Sequence, residues 1–309
     1  MTAQQNLAFL GLGQMGAPIA RLLLAKGQNL TLWNRSPEKA NAVKAESNTK
    51  GEACIAASPA EAVADADIVF TMLTDDAATE AVLFGDTHQS GFLSAMKADT
   101  IHVTLSTIST ALARCITAAH QERGQHHIGA PVFGRPAVAE AGRLWIVASG
   151  EDAPIAQVRP LLESISRGLT IVSREPWQAH ALKLGGNLMI TSMIQTLSEA
   201  FVYAKSQGID PALFHQAINS ALFQSQLYEN YGKTILNPPQ HPGATVSLGI
   251  KDTRLAREAA AEAGIHLPLA DYFADVLHRA AEAGFAGEDW AVGQYRIAQS
   301  DAPLHVEKE

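Results

Sequence analysis

Only two cysteines, Cys54 and Cys115, occur among the 309 residues, with no metal-ligand spacing between them. This excludes a disulfide framework. A single bridge is arithmetically possible, but a chain of this size can bury a sufficient core without one, and two buried thiols are expected. Long apolar runs are missing too. No stretch reaches 18 uninterrupted apolar residues, so no membrane-crossing helix is expected. The N-terminal MTAQQNLAFLGLG lacks a basic segment before its short apolar run, which argues against an export signal. A reducing cytoplasm is the expected location. Basic residues are in deficit, with 23 Lys and Arg against 31 Asp and Glu for a net charge of −8. That balance argues against nucleic acid or an anionic membrane as the main partner. Apolar residues make up 47% and charged residues 17%, so disorder is excluded over most of the length, and no repeat or low-complexity tract is visible.

What is present is a strand–helix rhythm. Leu7 to Leu10, Leu30 to Trp33, Ile68 to Leu73, Ile101 to Leu105, Ile128 to Val132 and Leu144 to Ala148 read as buried strands. Helical patterns at Ala17 to Ala25, Pro37 to Ala45, Ala77 to Phe84 and Thr110 to Arg123 lie between them. Such alternation predicts right-handed βαβ units in a mainly parallel sheet, a Rossmann-type α/β domain. After Ser173 the pattern changes. One run from Pro176 to about Gly208 has helical spacing without an interior proline, and a helix of about 30 residues spans about 45 Å. Further helices follow, broken at Gly208–Pro211, Asn237–Pro239 and Gly264. A boundary near residue 175 therefore separates an α/β domain (1–175) from an all-α domain (176–309). The tail SDAPLHVEKE is expected to fray.

The first strand runs into Gly11-Leu12-Gly13-Gln14-Met15-Gly16, a G-x-G-x-x-G sequence. Isolated glycine triplets are common, but this one follows a strand, opens a helix and is followed by a second strand end about 20 residues on. Gly11 allows the sharp turn, Gly13 lets backbone approach a pyrophosphate, and Gly16 lets helix pack on strand. The helix N-terminus offers N–H groups and a positive dipole end to that pyrophosphate. The second strand ends in Asn34-Arg35-Ser36. The carboxylate that binds the ribose 2′-hydroxyl in NAD-selective sites is absent, and Arg35 can pair with a 2′-phosphate, which favours NADPH.

With these residues identified, the chain resembles the β-hydroxyacid dehydrogenase family, which includes 3-hydroxyisobutyrate dehydrogenases. The resemblance covers nearly the whole chain. It rests on GLGQMGAPIARLLLAKG (11–27), TMLTDDAATEAVLFG (71–85), LSTIST (105–110), GAPVFGRPAVAEAGRL (129–144), KLGGN (183–187) and SLGIKDTRLA (247–256). It implies a Rossmann-like domain, a helical domain, and a homodimer or higher oligomer whose long helices pack across subunits. Lys183 and Asn187 are four apart and so share a helix face. An ammonium there can donate a proton to the oxygen of a carbonyl receiving hydride, and an amide can hold the oxygen or the lysine. In the family the matching residues are the catalytic lysine and its supporting asparagine. Gly185 and Gly186, unfavourable in a helix interior, suggest close approach of another group. The resemblance also implies that Thr107 sits beside the nicotinamide ribose, that Leu73 and Thr74 cover the cofactor, and that Lys251 reaches the cofactor and substrate.

The chain departs from the family in two places. Hydroxy-acid members usually show D-A-P-V-S-G-G, whose serine helps hold the substrate carboxylate. Here the segment is Gly129-Ala130-Pro131-Val132-Phe133-Gly134-Arg135. Phe133 cannot donate a hydrogen bond; it could line a pocket for a less polar substrate, and Arg135 could take over the carboxylate or face solvent. The glycines usual before the lysine are also replaced, and His180 stands one turn ahead of Lys183, where it could tune the lysine, meet the substrate or simply pack. His126 and His127 precede a strand without a third partner, read as surface residues, and no metal is expected. The leading expectation is an NADPH-dependent oxidoreductase acting on a small carbonyl or alcohol substrate of the β-hydroxy acid or semialdehyde class. Imine reductases share the architecture and NADPH preference but generally carry Asp or Tyr where this chain has Lys183; Phe133 keeps imine reduction as the alternative on the same scaffold. A non-catalytic NADPH-binding scaffold is the reading from another class, and it has no use for Lys183 with Asn187.

Overall fold

The computed structural model describes residues 5–46, 50–86 and 90–302; most of the tail expected to fray lies outside them. The elements of the first part are β1 (Leu7–Leu10), α1 (Gly16–Ala25), β2 (Leu30–Trp33), α2 (Pro37–Ala45), β3 (Ala53–Ile55), α3 (Pro59–Val63), β4 (Ile68–Thr71) and α4 (Asp76–Phe84). They continue with β5 (Ile101–Thr104), α5 (Thr110–Gln121), β6 (His126–Gly129), β7 (Val132–Phe133), α6 (Pro136–Glu140), β8 (Leu144–Ser149), α7 (Asp152–Ser164) and β9 (Ser166–Ser173). The sheet order is β3-β2-β1-β4-β5-β6-β8-β7, with β9 on the other side of β8. The first six strands in this order are parallel, while β8 runs antiparallel to β6 and β7. Chain direction across the sheet reverses beside β1, which leads outward to β2 on one side and borders β4 on the other. In a doubly wound sheet, ligands bind at the carboxyl ends of the strands flanking such a reversal.

Both faces of the central strands β1, β4 and β5 are buried. Leu7, Phe9, Ile68 and Phe70 point into one apolar layer, and Ala8, Leu10 and Val69 into the other. That two-sided burial is why the strands read as continuous apolar runs rather than alternating ones. Each fully buried Leu, Ile or Phe contributes about 1.5–3 kcal/mol. Caps set the helix starts: Ser58, Asp75 and Ser109 accept from the backbone N–H of Glu61, Ala78 and Leu112.

The chain divides into two compact units, Met1–Lys183 and Leu184–Glu309. The division falls inside α8, one 31-residue helix from Pro176 to Ser206. The second unit continues with α9 (Pro211–Ala221), α10 (Gln226–Leu236), α11 (Val246–Glu262), α12 (Pro268–Ala280) and α13 (Trp290–Asp301). Its core gathers Ile194, Phe201, Val246, Val276, Leu277 and Trp290. The expected pairing of a mainly parallel α/β domain with an all-α domain is present. No helix among the described residues is long and apolar enough to cross a membrane.

Three expectations are corrected. Cys54 and Cys115 are free and exposed, not buried; Cys54 lies on the edge strand β3 and Cys115 on the outer face of α5. The run Ile128 to Val132 is not one strand. It is β6 followed by β7, with Pro131 between them, because β7 leaves the parallel register to pair antiparallel with β8. Finally, His126 and His127 belong to β6, and His127 is buried rather than on the surface.

His127 is part of a buried polar network under the sheet. Its ring nitrogens bond Thr104 Oγ1 (3.0 Å) and Thr117 Oγ1 (2.8 Å). His102 bonds Thr71 Oγ1 and His120, each at 2.9 Å, and His120 bonds Gln125 Oε1 at 2.8 Å. Burial pushes the pKa of His102 and His127 well below the ordinary histidine value, and that of His120 to about 4. His180 is pushed to about 3, also by burial. These groups are neutral in the folded protein but titrate near 6.5 when unfolded, so below that pH the unfolded chain takes up protons that the folded chain refuses. Their contribution is complete above about pH 6.5 and is lost as pH falls towards 4 for His120 and 3 for His180, at up to about 1.4 kcal/mol per pH unit for each histidine. Urea midpoints should therefore drop steadily from pH 7 to pH 5. A flat profile over that range would contradict the buried, neutral assignment.

Candidate active site

The parallel strands end level with one another. Leu10 pairs with Thr71, Thr71 with Thr104, and Thr104 with Gly129. The segments that follow these residues form a single edge. There the turn after β1 is built from contacts only glycine permits. Gly11 has φ +96°, and a Cβ on it would lie 2.4 Å from the Met72 carbonyl oxygen. A Cβ on Gly16 would lie 1.9 Å from the Gly11 oxygen. A Cβ on Gly13 would meet nothing within 4 Å. The first and third glycines are thus consumed by packing, while the second leaves open backbone. Met15, at the N-cap of α1, places no side-chain hydrogen bond on the helix end. The first N–H groups of a helix lack intrahelical partners, which suits an anion.

Asn34, just beyond β2, holds this loop. Its Oδ1 accepts from the Leu12 N–H at 2.8 Å, and its Nδ2 donates to the Ser36 carbonyl at 3.0 Å. Arg35 and Ser36 next to it are exposed. Leu73 donates its N–H to Ser106 Oγ at 2.7 Å, tying the loop after β4 to the segment after β5 that carries Thr107. Leu73 and Thr107 therefore share the edge with the glycine turn, as does Thr74, which follows Leu73 directly.

Phe133 belongs to the same edge. Ser149 of β8 faces Gly129, and Trp145, four residues from Ser149, faces Phe133. Four residues of strand cover about 13 Å, which carries Phe133 beyond the carboxyl end of β6. Lys183 Nζ lies 4.1 Å from the centroid of the Phe133 ring, and Lys183 is only 7% exposed. Lysine is almost never this buried without a specific environment. Gly134 follows at φ +145° and Arg135, half-buried, flanks α6. His180 is fully buried against β6, where a Cβ on Gly129 would lie 2.9 Å from its Nε2, and neither ring nitrogen has a hydrogen-bond partner.

In the second unit, Asn187 Nδ2 donates to Asp252 Oδ2 at 2.6 Å, and Lys251 Nζ lies 3.1 Å from Asp252 Oδ1. Asn187 and Asp252 are both buried. Asp252 was not singled out from sequence, although it sits beside Lys251 in the quoted KDTRLA segment. No other described segment crowds Gly185, since a Cβ there would meet nothing within 4 Å. Among the described residues no group of three or more His, Cys, Asp or Glu is arranged to hold a metal ion.

Two family profiles match the chain. One, the NAD-binding domain of 6-phosphogluconate dehydrogenase, covers residues 6–173; the other, the NAD-binding part of NADP-dependent 3-hydroxyisobutyrate dehydrogenase, covers 178–293. The chain belongs to the β-hydroxyacid dehydrogenase family. The β-hydroxyacid dehydrogenases are NAD(P)-dependent oxidoreductases, and the relatives agree. An uncharacterized oxidoreductase, YfjR of Bacillus subtilis, is 38% identical over 287 residues, 93% of this chain and 97% of its own. The 2-hydroxy-3-oxopropionate reductase of Escherichia coli is 30% identical over 265 residues, 85% of this chain and 87% of its own. Among solved structures, Psf3 in complex with NADP+ and 2-OPP superposes with a TM-score of 0.82 at 26% identity, covering 94% of this chain and 99% of that one. An imine reductase from Streptomyces aurantiacus shares the fold at a TM-score of 0.62 and 24% identity, covering 94% and 98%.

In this member of the β-hydroxyacid dehydrogenase family the division of labour among the glycines is testable. Gly16→Ala should destabilise by about 1–3 kcal/mol through backbone overpacking. Gly13→Ala should leave the thermal midpoint unchanged yet weaken nicotinamide-cofactor binding measured by fluorescence. Equal destabilisation by the two substitutions would refute the assignment.

Proposed function

We propose that the protein is a cytoplasmic NADPH-dependent oxidoreductase that interconverts a small carbonyl compound and its alcohol, of the β-hydroxy acid or semialdehyde class, with Lys183 as proton donor and acceptor. The observation that carries this reading is the buried ammonium of Lys183 at the carboxyl edge of the sheet, the edge that also bears the glycine turn. Residues 1–175 are the cofactor domain, and 176–309 the substrate and homodimerisation domain.

The residues present fit a dinucleotide phosphate. Open backbone at Gly13 and the start of α1, with Leu12, Gln14 and Met15 in the loop, would hold the pyrophosphate, and the exposed Arg35 with Asn34 and Ser36 would hold the 2′-phosphate. Leu73, Thr74, Thr107 and Lys251 would complete the binding of the cofactor. When bound, NADPH supplies the hydride. Lys183 Nζ–H gives its proton to the carbonyl oxygen as negative charge grows there, and takes it back in the reverse direction. Asn187 is oriented by Asp252: with its Nδ2 committed to that carboxylate, its Oδ1 is left to accept from the substrate hydroxyl or the Lys183 ammonium. Arg135 and His180 belong to the surroundings of the substrate, and Phe133 presents carbon rather than a hydrogen-bond donor to it.

Turnover should be followed by NADPH absorbance with succinic semialdehyde, glyoxylate and a cyclic imine in parallel. Lys183→Ala should lower carbonyl turnover by about 100-fold or more while leaving NADPH binding in place. Imine turnover that survives this substitution would instead favour imine reduction, and cofactor binding without turnover of any compound would favour a scaffold role. Arg35→Ala should weaken NADPH by about 10-fold or more and NADH by far less. Equal losses would remove the 2′-phosphate assignment.

A further inference from the structure

We propose that Phe133 is a positioning residue for Lys183, whose ammonium it holds through the face of its ring. The proposal rests on the reading of Lys183 as the proton-transfer group and adds the means by which a flexible side chain is kept in place. A cation within about 6 Å of an aromatic centroid is attracted by the ring quadrupole, more strongly where water is excluded. Both conditions hold here, with Nζ at 4.1 Å and Lys183 7% exposed.

The two groups are carried by independently fixed backbones. Phe133 pairs with Trp145 across β7 and β8. The next residue, Gly134, turns at φ +145°, where a Cβ would come within 2.6 Å of Leu144 Cδ2, so the backbone leaves Phe133 in a direction only glycine allows. On the other side, the start of α8 is pressed onto β6: a Cβ on Gly129 would lie 2.3 Å from the Pro176 oxygen and 2.9 Å from His180 Nε2. Arg114 stacks on Trp177 at 3.4 Å in the same turn. With both backbones anchored this closely, the ring face is one contact that the flexible lysine stem meets. That contact favours the rotamers that bring Nζ over the ring.

The interaction also has a direction. The ring attracts the ammonium and not the neutral amine. In alcohol oxidation Lys183 enters as the neutral amine, and its Nζ accepts the hydroxyl proton as the carbon gives up its hydride to the oxidised cofactor, so positive charge grows on Nζ against the ring. Electron density in the ring therefore favours that transition state. A ring acting only as packing material would be indifferent to its own electron density.

The test uses the full-length protein with Phe133 replaced by mono-, di- and trifluorophenylalanine, which keep the ring shape and drain its face of electron density, together with Phe133→Tyr and Phe133→Leu. Lysine labelled with 13C at Cε reports the contact without any turnover, and its Lys183 signal is assigned by its loss in Lys183→Arg. That signal should be shifted upfield by the ring in the parent protein and in Phe133→Tyr, and should lose the shift in Phe133→Leu. In the oxidative direction, with 3-hydroxyisobutyrate and NADP+ as probes and on the alkaline plateau of the rate profile where Lys183 starts as the amine, kcat should fall stepwise with each fluorine to a total of about 5-fold, with KM for NADP+ unchanged, and Phe133→Tyr should retain the parent rate. A Lys183 signal without ring shift, or a kcat independent of fluorination, overturns the proposal. Absence of turnover by the parent with every compound tested sinks the underlying reading and the proposal with it, a result visible before any variant is made.

Discussion

The arrangement depends on one set of backbone contacts. Where β1 turns into α1, the space a Cβ on Gly11 would need is filled by the Met72 carbonyl, and the space a Cβ on Gly16 would need is filled by Gly11 itself. These approaches bring the end of β1 against the end of β4 beside the reversal of the sheet. Because the four strands β1, β4, β5 and β6 are in level register, whatever follows each of them arrives at the same edge. The glycine turn, Leu73, Thr107 and Phe133 share that edge through register, and the Asn34 and Ser106 side chains fasten the loops there. A shift of one residue in any of these strands would also turn its buried set of side chains to the opposite layer. The two apolar layers thus guard the register, and the register places the chemistry.

Buried polar groups in this chain meet different fates, and the differences follow the cost of desolvation. His102, His120 and His127 are neutral and satisfied by threonines, a glutamine and one another. Asn187, Asp252 and Lys251 form a bonded series in which one carboxylate serves an amide and an ammonium. Lys183 is buried beside an aromatic face. His180 has neither nitrogen satisfied, a state that costs about 1–3 kcal/mol for each unmade bond, and it fills the space left by the missing side chain of Gly129. Polar burial of this extent is concentrated on β4–β6, α5, α8 and α11. The outer helices of the second unit are held mainly by apolar packing, with Phe201, Val276 and Trp290 at its centre.

Long, strongly periodic segments were legible from residue types alone. The strand Leu30–Trp33, the helix Pro37–Ala45 and the helix beginning at Pro176 have the expected limits, because apolar runs, N-terminal prolines and glycine breaks all mark the same residues. Short or weakly buried elements were not legible. β3 has three residues, α3 and α6 five each, and β9 is half-buried or exposed along its whole length, so none of them produces a periodic apolar pattern. The polar first half of β6, His126 and His127, escaped for the opposite reason. His127 is deep in the protein, but hydrogen bonds with Thr104 and Thr117 supply what an apolar side chain would otherwise provide. Cys54 and Cys115 show the limit of average tendencies, since a thiol on an edge strand or on an outer helix face is exposed whatever its preference.

The sequence by itself determined the α/β-then-α architecture, the glycine turn and the identity of the residues that could transfer a proton, because these follow from local periodicity and from side-chain chemistry. Only the tertiary structure decided which of these residues meet. Asp252 reaches Asn187 across 65 residues of chain, and Phe133 meets Lys183 across 50, contacts set by strand register and helix packing rather than by spacing. No local rule relates such distant positions. Close packing of whole elements does.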